Sequence, residues 1–121
     1  MRRNRECADY LKDILEHAAQ AQQFVAGVEF DAFRTNIEKV LAVVRALEII
    51  GEAARQVPSA MRARYREIPW EDIIGMRNKL IHDYFGVDLE VVWRTVHEDL
   101  PPLREAVARM LEDVEREAGR G

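Results

Sequence analysis

Residues 7–25, CADYLKDILEHAAQAQQFV, indicate the fold class of this 121-residue chain. Their apolar side chains recur at alternating steps of four and three residues, which places them along one side of an α-helix. This apolar stripe consists of Cys7, Leu11, Ile14, Ala18, Ala21 and Val25. Gly27 follows as a candidate C-terminal cap. The segment therefore predicts a long helix with a single buried face.

The helical period continues after Gly27. A second helix is predicted to begin at Asp31 or Thr35. Its expected buried stripe consists of Phe33, Ile37, Val40, Leu41, Val44, Leu47, Gly51 and Ala54. Pro58 suits the first turn of a short third helix, and Pro69 suits the start of a fourth helix that runs to about Tyr84.

The C-terminal third also has a helical period. Asp88 is a candidate N-cap for the next helix, and Asp99 for a last helix with Pro101 and Pro102 in its first turn. Strand-like alternation between turn signals is absent from the sequence. We therefore predict an all-α, up-and-down bundle of four long helices and one short helix.

Composition limits the class of protein. The length predicts one domain over residues 1–121, with a frayed tail at 116–121. A single cysteine excludes an intrachain disulfide framework, and no Glu-x-x-His pair of the di-iron bundles occurs. The sequence has no membrane span and no signal peptide, so we expect a cytoplasmic protein without membrane contact. The formal net charge of −4 argues against a general nucleic-acid coat protein but leaves room for a local basic site.

Residues 75–86, GMRNKLIHDYFG, concentrate the polar chemistry of the chain. One interpretation is an ordinary polar helix face in which Arg77 and Asp83 form ion pairs. The other is a functional site. On an ideal helix Arg77 and His82 point about 140° apart, so a single small ligand cannot meet both on a flat helix surface. A cleft that a second subunit closes fits this constraint better than a monomer does.

An ordered set of short blocks around this segment resembles the HEPN superfamily, and within it the HepT-like toxins. The resemblance spans about residues 5–115. The blocks are IGEAA at 50–54, IPW at 68–70, GMRN at 75–78, HDYFGVD at 82–88, VW at 92–93 and DLP at 99–101.

The resemblance implies a HEPN-like homodimer that acts as a metal-independent endoribonuclease without a cofactor. It implies that Arg77 and His82 are the catalytic pair and that Asn78 supports them. It further implies a type VII-like toxin–antitoxin system, in which a nucleotidyltransferase antitoxin of the MNT type silences the toxin by attaching AMP to Tyr84.

RNA chemistry independently suits these residue types. The 2′-OH of RNA is its own nucleophile, so cleavage needs a proton acceptor, a proton donor and positive charge at the phosphate. An imidazole transfers protons near neutral pH, and a guanidinium grips phosphate oxygens in a planar fork. A non-catalytic helical module that binds a nucleotide or a protein would use the same residues, so it stays as the alternative.

The charge map adds candidate RNA contacts. Basic residues outnumber acidic ones between residues 55 and 80 of this acidic chain. The candidates for contact with a phosphate backbone are Arg62, Arg64, Arg66 and Lys79. A solvated helix face is the alternative interpretation of the three arginines.

Overall fold

The structure is a computed structural model that describes residues 2–82 and 88–119, with the side chains of 5–76 and 88–119. Helices joined by short turns make up these residues, and none of them forms a strand, which confirms the predicted all-α class. The helices are α1 (Arg2–Val25), α2 (Phe30–Arg34), α3 (Ile37–Gln56), α4 (Ser59–Ala63), α5 (Trp70–His82), α6 (Leu89–Arg94) and α7 (Leu100–Gly119), with a π-helical segment (Thr95–Asp99) between the last two.

Helix α1 is the centre of the bundle, because it packs against both α3 and α7. All six residues of its predicted stripe are buried. Among them, Cys7 is fully enclosed, and this burial raises the pKa of its thiol. Gly27 ends the helical run with a φ of 72°, a conformation that glycine adopts without steric cost.

Helix α3 differs from its prediction in its N-terminal half. It begins after Asn36, whose side chain accepts a hydrogen bond from the Lys39 backbone N–H, so neither predicted cap is used. Phe33 is buried but belongs to the separate helix α2, whereas Ile37 and Leu41 are exposed. The predicted stripe joined residues on both sides of a break in the helix, and a break changes the angular register.

The predicted last helix begins at Leu100 with Pro101 and Pro102 in its first turn, but Asp99 does not cap it, because Asp99 lies in the π-helical segment that joins α7 to α6. Asp88 does cap α6, since its carboxylate accepts from the Glu90 N–H, but from there the chain stays helical to Gly119. Leu100 donates its N–H to the Thr95 carbonyl, five residues back. This wider turn comes directly before Pro101 and Pro102, which have no N–H to donate. The helix therefore carries both prolines without ending.

Within the described residues four helices have 13 to 24 residues, and three have five or six. The four long ones were expected, whereas the number of short ones was underestimated. Helix α5 packs on α3 and makes little contact with α7. None of the helices in residues 2–82 and 88–119 combines the length and apolar character needed to cross a bilayer.

Candidate active site

Helix α5 carries the candidate motif, and its first turn fixes the helix to the bundle. Trp70 and Ile73 are buried, and the Trp70 indole donates from Nε1 to the Tyr65 carbonyl at 3.1 Å. Glu71 and Asp72 occupy the first turn, where the helix dipole favours negative charge. The preceding Pro69 accepts the Ile73 N–H at 3.1 Å and starts the helix, as the sequence indicated.

The backbone of Arg77, Asn78, Lys79 and His82 lies in this helix, and their side chains lie outside the described part of the structure. Tyr84 lies outside the described residues altogether. Because α5 is continuous from 70 to 82, the predicted separation of about 140° between positions 77 and 82 applies.

The helical register places these positions on different sides of α5. Position 77 lies in line with Trp70 and Ile73, which are the buried residues among the described side chains of the helix, 70–76. Positions 78 and 82 lie in line with Glu71 and Gly75, which are exposed. The arginine position is thus on the side of the helix that meets the bundle, and the histidine position is on the side that faces away from it.

The three arginines of the predicted RNA contact are in three different environments. Arg62 donates from Nε to the Val57 carbonyl at 3.1 Å, at the end of α3. Arg64 forms a two-pronged ion pair with Glu117, with Nη2 to Oε1 at 2.7 Å. Arg66 is exposed and makes no hydrogen bond or ion pair with another described residue.

An open groove of about 460 Å³ lies beside the start of α5. Arg62 and Arg66 line it together with Trp70. Glu71 and Asp72 line the same groove, so its charge is mixed. The groove places two of the predicted RNA-contacting residues next to the helix that carries the candidate motif.

Two contacts with α7 hold the segment 62–66, which carries the three arginines, and the sequence did not predict either of them. The Tyr65 hydroxyl donates to the Asp113 carboxylate at 3.0 Å, and Arg64 binds Glu117. Burial, and then the hydrogen bond to Asp113, raise the pKa of Tyr65. Asp113 and Glu117 are four residues apart on one face of α7. This spacing is the sequence signal that could have indicated two acidic acceptors on the same side of that helix.

The other histidines have local contacts. The Nδ1 atom of His17 lies 2.8 Å from the Asp13 carbonyl of the same helix. The ring of His97 lies 4.2 Å from the Trp93 ring, centroid to centroid. In the described part of the chain, no three His, Cys, Asp or Glu side chains are grouped so that they could hold a metal ion.

Comparison with known proteins gives one consistent result. The family model described as "Ribonuclease HepT-like" matches residues 14–110. A probable ribonuclease HepT of Thermococcus cleftensis is 46% identical over 96 residues, which cover 79% of this chain and 87% of that protein. A putative RNase of Methanocaldococcus jannaschii is 39% identical over 111 residues, 92% of each chain. A putative RNase of Caldanaerobacter subterraneus is 39% identical over 103 residues, 85% of this chain and 92% of the relative. No solved structure matches significantly.

Proposed function

The chain belongs to the HepT-like ribonuclease family, and on that basis we propose that it is a metal-independent endoribonuclease. The observation that carries the proposal is the family match over residues 14–110, which includes the whole of α5 and its Arg77-x4-His82 pattern. We place the enzyme in the cytoplasm and treat residues 1–121 as one domain.

In the proposed reaction the 2′-OH attacks the neighbouring phosphate, and the bond to the 5′-oxygen breaks. His82 transfers a proton, and Arg77 binds the phosphate oxygens and stabilises the added charge of the transition state. Asn78 supports this pair from the position next to Arg77. One chain supplies one such histidine, so a homodimer or a water molecule provides the second proton-transfer group.

The decisive experiment measures RNA cleavage in EDTA by the parent protein and by His82→Ala. We expect the variant to lose about 10²- to 10⁴-fold in rate, the usual contribution of a general acid or base. His17→Ala is the matched control, because His17 is a helical histidine far from α5 in the sequence, and it should cleave at the parental rate.

Cleavage by His82→Ala at the parental rate would contradict this role of His82. A parent protein that binds RNA without cutting it would instead support the alternative, a non-catalytic binding module.

For regulation, we propose a toxin–antitoxin pair in which an MNT-type nucleotidyltransferase attaches AMP to Tyr84. Tyr84 lies two residues after His82 in the sequence, close to the proposed catalytic positions. Added AMP brings negative charge and bulk, which would repel the RNA backbone and compete for Arg77.

Tyr84→Phe should therefore retain ribonuclease activity and escape silencing when the nucleotidyltransferase and ATP are present. Intact-mass analysis should show added AMP on the parent and none on the variant. Tyr10→Phe, an aromatic position on α1, is the control and should be modified like the parent. Equal labelling of Tyr84→Phe and parent would place the modification elsewhere.

A further inference from the structure

A cavity of about 300 Å³ lies where α5 makes little contact with α7. Helices α3, α5 and α7 and the π-helical segment enclose it, together with residues just before α5. This volume is at the lower end of the range for small-molecule sites in proteins.

The interior of the cavity is apolar. Its walls include Leu47, Ile50, Ile73 and Leu103, which are all buried. Thr95 is the buried polar residue of the lining, but its hydroxyl donates to the Val91 carbonyl at 2.7 Å. A ligand that enters this interior must therefore lead with an apolar group, because a polar tip would lose its hydrogen bonds to water.

Acidic side chains surround the same cavity. Glu67, Asp72 and Asp99 all line it, and all three are exposed residues, so they belong to its mouth. Among the described residues none of the three carboxylates takes part in a hydrogen bond or an ion pair. Nor do they form a group that could hold a metal ion, within the part of the chain that the structure describes.

We propose that this cavity binds a small organic cation, made of an apolar body of about six carbons and one ammonium or guanidinium group. The body fills the space between α5 and α7, and the cationic group stays at the mouth beside the carboxylates. The described lining argues against RNA as the occupant, because its carboxylates repel phosphates and its buried residues offer no free partner for the polar edge of a base.

Three probes of one length isolate the role of charge: n-hexylammonium, 1-hexanol and hexanoate. Binding is measured by ligand-observed NMR titration and by the shift of the melting temperature. We expect hexylammonium to bind most tightly, hexanol more weakly, and hexanoate least. Equal binding of hexylammonium and hexanoate would overturn the proposal.

Neighbouring carboxylates supply matched controls. Asp72→Asn and Asp99→Asn should each weaken hexylammonium about fivefold, the effect of removing one charge a few ångströms from a cation in water. Glu71→Gln and Glu98→Gln lie next to them in sequence but do not line this cavity, so both should bind like the parent. An equal loss of hexylammonium affinity in all four variants would show that only the net charge of the protein matters. That result would contradict a binding site in this cavity.

A filling variant tests the location. Ala106 is buried in the lining, and Ala106→Leu should abolish binding of all three probes; Ala108→Leu, at an exposed position of the same helix, should not. If circular dichroism shows that Ala106→Leu does not fold, the binding measurements on Asp72→Asn and Asp99→Asn test the proposal without it. A change of oligomeric state on Asp72→Lys or Asp99→Lys would show that a second copy covers the cavity and would overturn the proposal.

Discussion

Arg64 and Arg66 are two residues apart, yet they differ in their contacts and therefore in how readily they can bind phosphate. Both Nη atoms of the Arg64 guanidinium donate to the Glu117 carboxylate, and this contact raises the pKa of Arg64. Arg66 has no such partner among the described residues and lines the groove beside α5. A guanidinium already bound to a carboxylate must give up that partner before it can bind phosphate, whereas an unpaired one need not.

Arg66→Ala should therefore weaken RNA binding and reduce the slope of log K against log[salt] by about 0.7 to 1, the value for one lost phosphate contact. Arg64→Ala should leave that slope unchanged. Fluorescence anisotropy with labelled RNA at several salt concentrations measures both. A smaller slope in Arg64→Ala than in Arg66→Ala would reverse the assignment.

At the scale of the element, Gly75 is a weak point of α5. It lies inside the helix and is exposed, and a Cβ atom placed on it would have no neighbour within 4 Å among the described residues. Glycine in a helix interior costs about 0.5 to 1 kcal/mol relative to alanine, because it has more backbone freedom to lose.

Gly75→Ala should accordingly raise the free energy of unfolding by about 0.5 to 1 kcal/mol, as measured by urea denaturation. Gly119→Ala, at the last residue of α7, has equally open surroundings and should change it less. Destabilisation by Gly75→Ala would show that another surface contacts this side of α5 in solution.

The elements also show what the sequence could predict. The α1 stripe was predicted residue by residue because its period lies in one unbroken helix. The α3 stripe failed at Ile37 and Leu41, where a break resets the register. The continuous helix through Pro101 could not be predicted. It depends on the hydrogen bond from the Leu100 N–H to the Thr95 carbonyl, and this wider turn leaves no signal in the local composition.

The candidate site also has a part that the sequence predicted and a part that it did not. The residues alone left segment 75–86 open between a polar helix face and a site, and only the family resemblance proposed Arg77 and His82 as the catalytic pair. The helix that carries them was predicted to begin at Pro69, as the structure shows. The pairing of Arg64 with Glu117 joins residues 53 positions apart, and the cavity needs four elements to meet. Such contacts depend on the packing of the whole bundle, which local periodicity does not encode.

At the scale of the whole molecule, the positions of the proposed catalytic pair, Arg77 and His82, favour a site shared between two chains. Position 77 lies in line with Trp70 and Ile73, which are buried, and position 82 lies about 140° away from it, in line with Glu71 and Gly75, which are exposed. Mixing Arg77→Ala with His82→Ala chains should therefore restore part of the ribonuclease activity that each lacks alone. Native mass spectrometry confirms subunit exchange; complete inactivity despite exchange would contradict a site composed of both chains.

The position of α1 between α3 and α7 has a consequence for biosynthesis. Helix α1 leaves the ribosome well before α7, but the core around α1 is complete only when α7 has been made, because α7 covers part of the buried stripe of α1. Chain elongation runs at about 5–20 residues per second, so α1 must wait several seconds with apolar surface uncovered. We therefore expect the nascent chain to stay inactive until α7 has left the ribosome and packed against α1.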